Sequence, residues 1–298
     1  MPATCFSCPD GTSVLFAQCL QTCRLHYRCM FLSTLQKLAQ LNQHRKPFSV
    51  TELLCGTREA YLKRITNYAI SPQEEANALV GTAVHQLHEQ KNPAQNILTE
   101  QRLHGTLFHG QFDCYGALLD EQHTLGDFKV TSSYKLSRAL GFYKKEIPTS
   151  EVFKTGPRKG TFKTVKEWRY DGVRHQKEWA IQLNAYRMLL EQEGHAVSDM
   201  VIQAFCRDNG LRAATERNLQ QAIYLLPIRR ISNRWLTRYF QTKRQALESA
   251  LATKTLPPVC RSKERWGDRK CLGYCAVAAT CPYAVQLRNN KYAEKESA

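Results

Sequence analysis

Residues 110–129, GQFDCYGALLDEQHTLGDFK, restrict the possible folds more than any other stretch of the chain. They read as two short strands joined by a turn, and strand side chains alternate faces with a period of two. Asp127 and Lys129 on the second strand therefore point the same way, and a hairpin brings Asp113 of the first strand beside them. Two carboxylates this close repel unless a cation sits between them. Hard oxygen ligands of that kind suit Mg²⁺ or Mn²⁺, completed by water and a substrate phosphate that Lys129 would face.

Cysteine spacing supplies the second constraint. Cys8, Cys19, Cys23 and Cys29 form C-x10-C-x3-C-x5-C, and Cys260, Cys271, Cys275 and Cys281 repeat every gap at the other end of the chain. Spacing fixes how four thiolates can converge, so the repeat predicts two four-cysteine metal sites, one near each end. Four thiolates suit zinc and a [4Fe–4S] cluster alike, and both stay open for both sites. Cys5 forms C-x2-C with Cys8 and could stand in as a ligand, while Cys55, Cys114 and Cys206 read as small buried apolar residues. Disulfides are the competing use of the eight. They are disfavoured because the opening MPATCFSCPDG shows no basic segment followed by an apolar one, which leads us to expect a cytoplasmic protein.

At 298 residues the chain is long enough for one large or two small domains, and it holds no apolar run of membrane-spanning length. Its formal net charge of +16 favours a polyanionic partner, with nucleic acid ahead of an acidic membrane surface because no basic amphipathic helix stands out.

In chain order, periodicity predicts a helix over 30–42, a linker at 44–48, and a helix from Ser49 opened by a capping box with Glu52. A helix over 73–90 follows, on which Gly81, His85 and Glu89 share one face; His85 reads equally as an ordinary helix histidine or as a ligand. Strands are expected at 97–108, 111–119 and 124–131. Residues 144–177 carry ten Lys or Arg against four acids, interleaved with Phe153, Phe162, Trp168 and Tyr170. That pattern fits a solvated loop or hairpin and a phosphate-gripping insertion equally. A helix over 175–192 places Gln182 and Tyr186 on one face; strands at 199–207 and 222–228 and a helix over 231–253 complete the pattern. Arg229, Arg230, Arg234, Arg238, Lys243 and Arg244 run through the last part without an acid, as a second phosphate-contacting surface or a solvated face. The final LRNNKYAEKESA reads as a frayed polar tail.

The motifs G-x3-H-x3-E (Gly81, His85, Glu89), G-x2-D (Gly110, Asp113), D-x-K (Asp127, Lys129) and Q-x3-Y (Gln182, Tyr186) follow one another in that order. Together they resemble the RecB-type branch of the PD-(D/E)xK nucleases, which includes AddB and the CRISPR-associated exonucleases, over roughly residues 49–285. Phage recombination nucleases are the nearest kind. The resemblance implies an α/β fold with a restriction-endonuclease-like core, a mixed central sheet flanked by helices, over 46–256. A four-cysteine module would lie at each end, over 1–45 and 257–298. It further implies that His85, Asp113 and Asp127 bind the catalytic metal, that Lys129 completes the site, and that Gln182 and Tyr186 steady it or the DNA strand. The C-terminal C-x3-C-x5-C is similar to the end of the family's iron–sulfur motif, although the family usually has C-x2-C there and takes its first cysteine upstream, where Cys55 stands. Cys260 fits the internal repeat better, and the N-terminal module lies outside the resemblance.

The expected function is therefore Mg²⁺- or Mn²⁺-dependent phosphodiester hydrolysis, an exonuclease on single- or double-stranded DNA in recombination, repair or phage DNA processing. It would act with a possible recombination partner protein, and in the bacterial host cytoplasm if phage-encoded. The main alternative is a non-catalytic zinc-module protein that binds nucleic acid; a redox-active cluster protein is the weaker third.

Overall fold

A computed structural model describes residues 3–43, 47–89, 97–119, 123–173 and 176–296. The chain opens with β1 (Cys5–Ser7), β2 (Ser13–Leu15), α1 (Phe16–Gln21), α2 (Leu32–Gln43), α3 (Val50–Leu54), α4 (Thr57–Ile65), β3 (Ala69–Ile70) and α5 (Pro72–Glu89). Its middle holds β4 (Leu98–Thr99), β5 (Arg102–His104), β6 (His109–Gln111), β7 (Cys114–Ala117), β8 (His123–Thr131), α6 (Ser133–Leu140), β9 (Phe142–Val152), β10 (Phe162–Tyr170) and α7 (Lys177–Gln192). After these come β11 (Asp199–Cys206), α8 (Arg212–Thr215), β12 (Ile223–Pro227), α9 (Asn233–Thr253), α10 (Arg269–Gly273) and α11 (Pro282–Glu296). The result is a mixed α/β protein in which no described helix is long and apolar enough to cross a membrane.

Two compact units interleave along the sequence, one comprising 1–83, 102–111 and 231–298, the other 84–101 and 112–230. The second unit is built on a five-stranded sheet in the order β12, β11, β8, β7, β4. β8 is parallel to β11 and antiparallel to β7, so the sheet is mixed. β11 shows why the sequence yields a strand here: Met200, Ile202, Ala204 and Cys206 are buried at every second position. β8 is the middle strand, and Thr124 to Phe128 are buried on both of its faces. Among the best buried side chains of this unit are Leu125, Leu136, Leu183, Leu190 and Ile202, each of which contributes roughly 1.5–3 kcal/mol of transfer free energy. Gly126 is dictated by close approach, since a Cβ there would meet Cys114 Sγ at 2.6 Å across the β7–β8 pair.

In the first unit, Phe108 and Phe240 meet with ring centroids 4.3 Å apart, and Leu38, Val50, Leu53, Leu236 and Leu247 are buried. Ser49 caps α3 by accepting from the Glu52 N–H at 3.2 Å, as the capping pattern predicts, while the Glu52 carboxylate reaches back to the Phe48 N–H at 2.6 Å. The expected long helix nevertheless divides at Cys55 and Gly56, which both take extended backbone conformations. The break makes room for another segment: a side chain at position 56 would meet Cys260 Sγ at 2.3 Å.

Other departures have local causes. The strand expected over 97–108 divides at Glu100, whose φ of +49° turns the chain. β4 then pairs with β7, and β5 pairs with β6 in a separate two-stranded sheet. The polar C-terminal segment is helical through Glu296, started by Pro282 at a first-turn position where a missing N–H costs nothing. Of the expected phosphate-facing cations, Lys243 is engaged by Glu264 and the Cys55 carbonyl, Arg244 by Glu248 and the carbonyls of Thr106 and Leu107, and Arg230 by Glu191. Lys243 and Arg244 are thereby tied into the fold, while Arg230, though paired, and Arg229, Arg234 and Arg238 are exposed.

Candidate metal centre

β7 and β8 position the acidic pair. Cys114 lies opposite Gly126, so one further step of the antiparallel register sets Asp113 opposite Asp127 and on the same face. Asp113 is fixed by the Phe128 N–H, which donates to its Oδ2 at 2.6 Å. Lys129 Nζ stands 2.5 Å from Asp127 Oδ2. That approach lacks hydrogen-bond geometry, and among the described residues neither oxygen of Asp127 has a hydrogen-bond partner although the residue is 2 % exposed. Burial pushes the Asp127 carboxyl up to about 6, against the pull of the Lys129 ammonium and reinforced by the charge of Asp113. A carboxylate buried this deeply with an ammonium as its close counter-charge is costly to the fold, a frequent mark of a group kept for function.

Helix α5 brings a third ligand type. His85 Nδ1 lies 3.0 Å from Glu100 Oε1 and 3.4 Å from Asp113 Oδ1. Hydrogen bonds to Asp113 and Glu100 hold its imidazole protonated well into the alkaline range, up to about 10. One turn further on, His88 packs on Phe128 in a tilted arrangement with ring centroids 4.1 Å apart, seating the end of α5 against β8. His85, Glu100 and Asp113 place one donor atom each within 4.8 Å of one another, a nitrogen and two oxygens that could hold a divalent ion.

Gln182 and Tyr186 complete the surroundings. Gln182 Nε2 donates to Tyr186 Oη at 2.9 Å, and burial together with the charge of Asp127 raises the phenol above its ordinary range. All six site residues named from the sequence, His85, Asp113, Asp127, Lys129, Gln182 and Tyr186, thus lie in one neighbourhood. Glu89, the last position of the helix motif, has its side chain outside the described residues. Glu100 was missed. It sits inside what reads as one continuous strand, and the local sign of its role was the failure of TEQRLHG to alternate cleanly.

The two cysteine quartets belong to the first unit. Cys260, Cys271, Cys275 and Cys281 line one cavity of about 20 Å³ with Arg58, Glu59 and Lys270. Burial first, then the charge of Glu59, pushes the Cys275 thiol up to about 11. Glu59 is buried between two ammonium groups, Lys63 Nζ at 2.7 Å and Lys270 Nζ at 2.6 Å. The Cys55 thiol donates to the Thr51 carbonyl at 3.5 Å, and its charge acts on Lys270, which lines this cavity. At the N-terminal end, burial and then the charges of Cys8, Cys23 and Cys29 raise the Cys19 thiol, and the Arg28 guanidinium ties the Cys19 and Leu20 carbonyls at 2.8 and 3.2 Å.

No protein-family model matches the chain, and no curated protein matches it. A solved structure titled "Crystal structure of SSO0001" is similar at 13% identity with a TM-score of 0.43, covering 84% of this chain and 94% of that one.

The position of Glu100 yields an expectation of its own. Glu100→Gln keeps shape and hydrogen bonding but removes one of the anionic donors, so Mn²⁺ affinity measured by calorimetry should fall 10- to 100-fold, roughly as for loss of a supporting group around a metal. Unchanged affinity would remove Glu100 from the ligand set.

Proposed function

We propose that the chain is a divalent-metal-dependent deoxyribonuclease of the RecB-type PD-(D/E)xK kind, an exonuclease whose mixed sheet is the restriction-endonuclease-like core. The observation that carries this reading is the gathering of His85, Glu100 and Asp113, with Asp127 opposite Asp113 in the strand register and paired with the ammonium of Lys129; Glu100 takes the place in the donor trio that the motif reading assigns to Asp127. The donor set fits a hard cation: oxygens dominate, and the buried carboxylate of Asp127, paired with the Lys129 ammonium, stands beside it. Mg²⁺ or Mn²⁺ held by these residues would supply an acidified water and screen charge on the scissile phosphate.

The protein's own groups do the rest. Lys129, fixed by Asp127, orients the attacking water or stabilises negative charge developing on phosphate oxygen. Asp113 holds its place through the Phe128 N–H, and the Gln182–Tyr186 pair buttresses the acidic cluster from α7. His85 hydrogen-bonds to Asp113 and Glu100, which hold its proton, so a divalent ion bound by these three residues would compete with that proton.

Each cysteine quartet, Cys8, Cys19, Cys23 and Cys29 and Cys260, Cys271, Cys275 and Cys281, is read as a site for zinc or a [4Fe–4S] cluster, since four thiolates at this repeated spacing suit both.

End-labelled single- and double-stranded DNA incubated with Mg²⁺, Mn²⁺ or EDTA tests the reading. Metal-dependent shortening of label is expected. Binding that survives EDTA, with no cleavage under any condition, would refute it in favour of a non-catalytic nucleic-acid-binding protein.

A further inference from the structure

Strands β9 and β10 form a two-stranded ribbon that is solvent-exposed along nearly its whole length on both faces. An isolated ribbon buries little apolar surface and is marginal in water by itself, so exposed aromatic side chains along it are a cost that a partner can offset. Phe162 is 61 % exposed and Tyr170 60 %.

Charge is distributed unevenly along the ribbon. Its stem is compensated: Lys166 pairs with Glu146 at 3.2 Å, Arg169 with Glu167 at 3.0 Å and Lys163 with Glu151 at 2.8 Å, while Lys144 lies over the Trp168 ring at 5.0 Å. The tip is not. FKTGPRKGTF, residues 153–162, carries Lys154, Arg158 and Lys159 and no acid, and none of the three has a carboxylate partner among the described residues. The tip also has a defined shape. The Phe153 N–H donates to the Thr161 carbonyl at 3.0 Å, the Gly160 N–H to the Phe153 carbonyl at 2.9 Å, and the Thr161 hydroxyl to the Arg158 carbonyl at 2.7 Å. The Arg158 guanidinium rests on the Phe153 ring at 4.8 Å.

We propose that this tip is a DNA-gripping arm that enters a groove of duplex substrate, with Lys154, Arg158 and Lys159 neutralising backbone phosphates and Phe162 covering sugar or base edges. A two-stranded ribbon is one of the elements a duplex groove admits, and cations with apolar wedges are what groove-entering tips present. The assignment rests on the polynucleotide reading of the metal centre and adds to it the substrate form and the surface that holds it.

The test uses the full chain in EDTA, where no cleavage interferes, and compares wild type with the Lys154→Ala/Arg158→Ala/Lys159→Ala variant on labelled duplex and single-stranded oligonucleotides over a range of salt. Three lost phosphate contacts at about 0.9 counterion each should make the slope of log affinity against log salt shallower by about 2 to 3 on duplex, with affinity down roughly tenfold or more at low salt. Circular dichroism should be unchanged, since all three side chains are exposed. An unchanged duplex slope, a change confined to single strands, or no duplex binding by the wild type overturns the arm. If the slope changes as expected but the wild type cleaves nothing with Mg²⁺ or Mn²⁺, the nuclease reading falls and the arm stands; normal cleavage with an unchanged slope removes the arm alone.

Discussion

Lys129→Ala should lower Mg²⁺-dependent DNA cleavage by roughly 10²- to 10³-fold, the usual cost of removing one preorganised group that faces developing charge. Two effects add here. The variant removes the ammonium that would meet the phosphate, and it leaves Asp127, 2 % exposed, without the cation 2.5 Å away. With that pull gone, the Asp127 carboxyl, already pushed up to about 6 by burial, rises further and holds its proton near neutral pH. A protonated acid is a poor metal ligand, so metal affinity should fall together with turnover. Lys129→Arg keeps the charge and should restore metal binding more fully than cleavage, because a planar fork does not reproduce the placement of a point charge. Thermal melts should show both variants folded. Cleavage at the wild-type rate by Lys129→Ala would sink the assigned role of this residue.

What could be read from the sequence follows from the range of the interactions involved. Asp113, Asp127 and Lys129 were legible because strand alternation and one hairpin register are local, and β7 and β8 are consecutive. The Gln182–Tyr186 pair was legible for the same reason, as positions one helical turn apart. Glu100 was not, because its place depends on a left-handed turn and on its N–H reaching the Asp113 carbonyl at 2.9 Å, neither of which hydrophobic periodicity records. The division of the 49–65 helix was hidden likewise: it answers to Cys260, some two hundred residues further on. The basic run on α9 misled in part, since composition cannot distinguish a cation turned to solvent from Lys243 or Arg244 tied to carbonyls elsewhere in the fold. The basic stretch at 144–177 left a loop, a hairpin and a phosphate-gripping insertion open, because the strand pairing and the charge pairs in its stem depend on register.

Helix α7, which carries Gln182 and Tyr186, depends on a charge buried within its own length. Arg187 is fully buried; its Nη1 donates to Glu191 Oε2 at 2.6 Å and its Nε to Asn184 Oδ1 at 3.3 Å. Glu191 also holds Arg230, so one carboxylate serves two guanidinium groups. Glu191→Ala should therefore destabilise the protein by about 3–5 kcal/mol, the cost of leaving a buried ion without its counter-charge, read as a lower midpoint in urea unfolding. The sign differs for the double change. Arg187→Met with Glu191→Leu removes both buried charges and fills similar volume, so it should recover most of that loss, since desolvating an ion pair offsets much of its Coulomb gain. Because Asn184 also donates to the Arg229 carbonyl at 3.0 Å, the middle of α7 should stay anchored in both variants, and cleavage should follow stability rather than collapse. If Glu191→Ala unfolds at the wild-type urea concentration, the buried guanidinium is satisfied by its remaining contacts and the carboxylate contributes nothing to holding α7 in place.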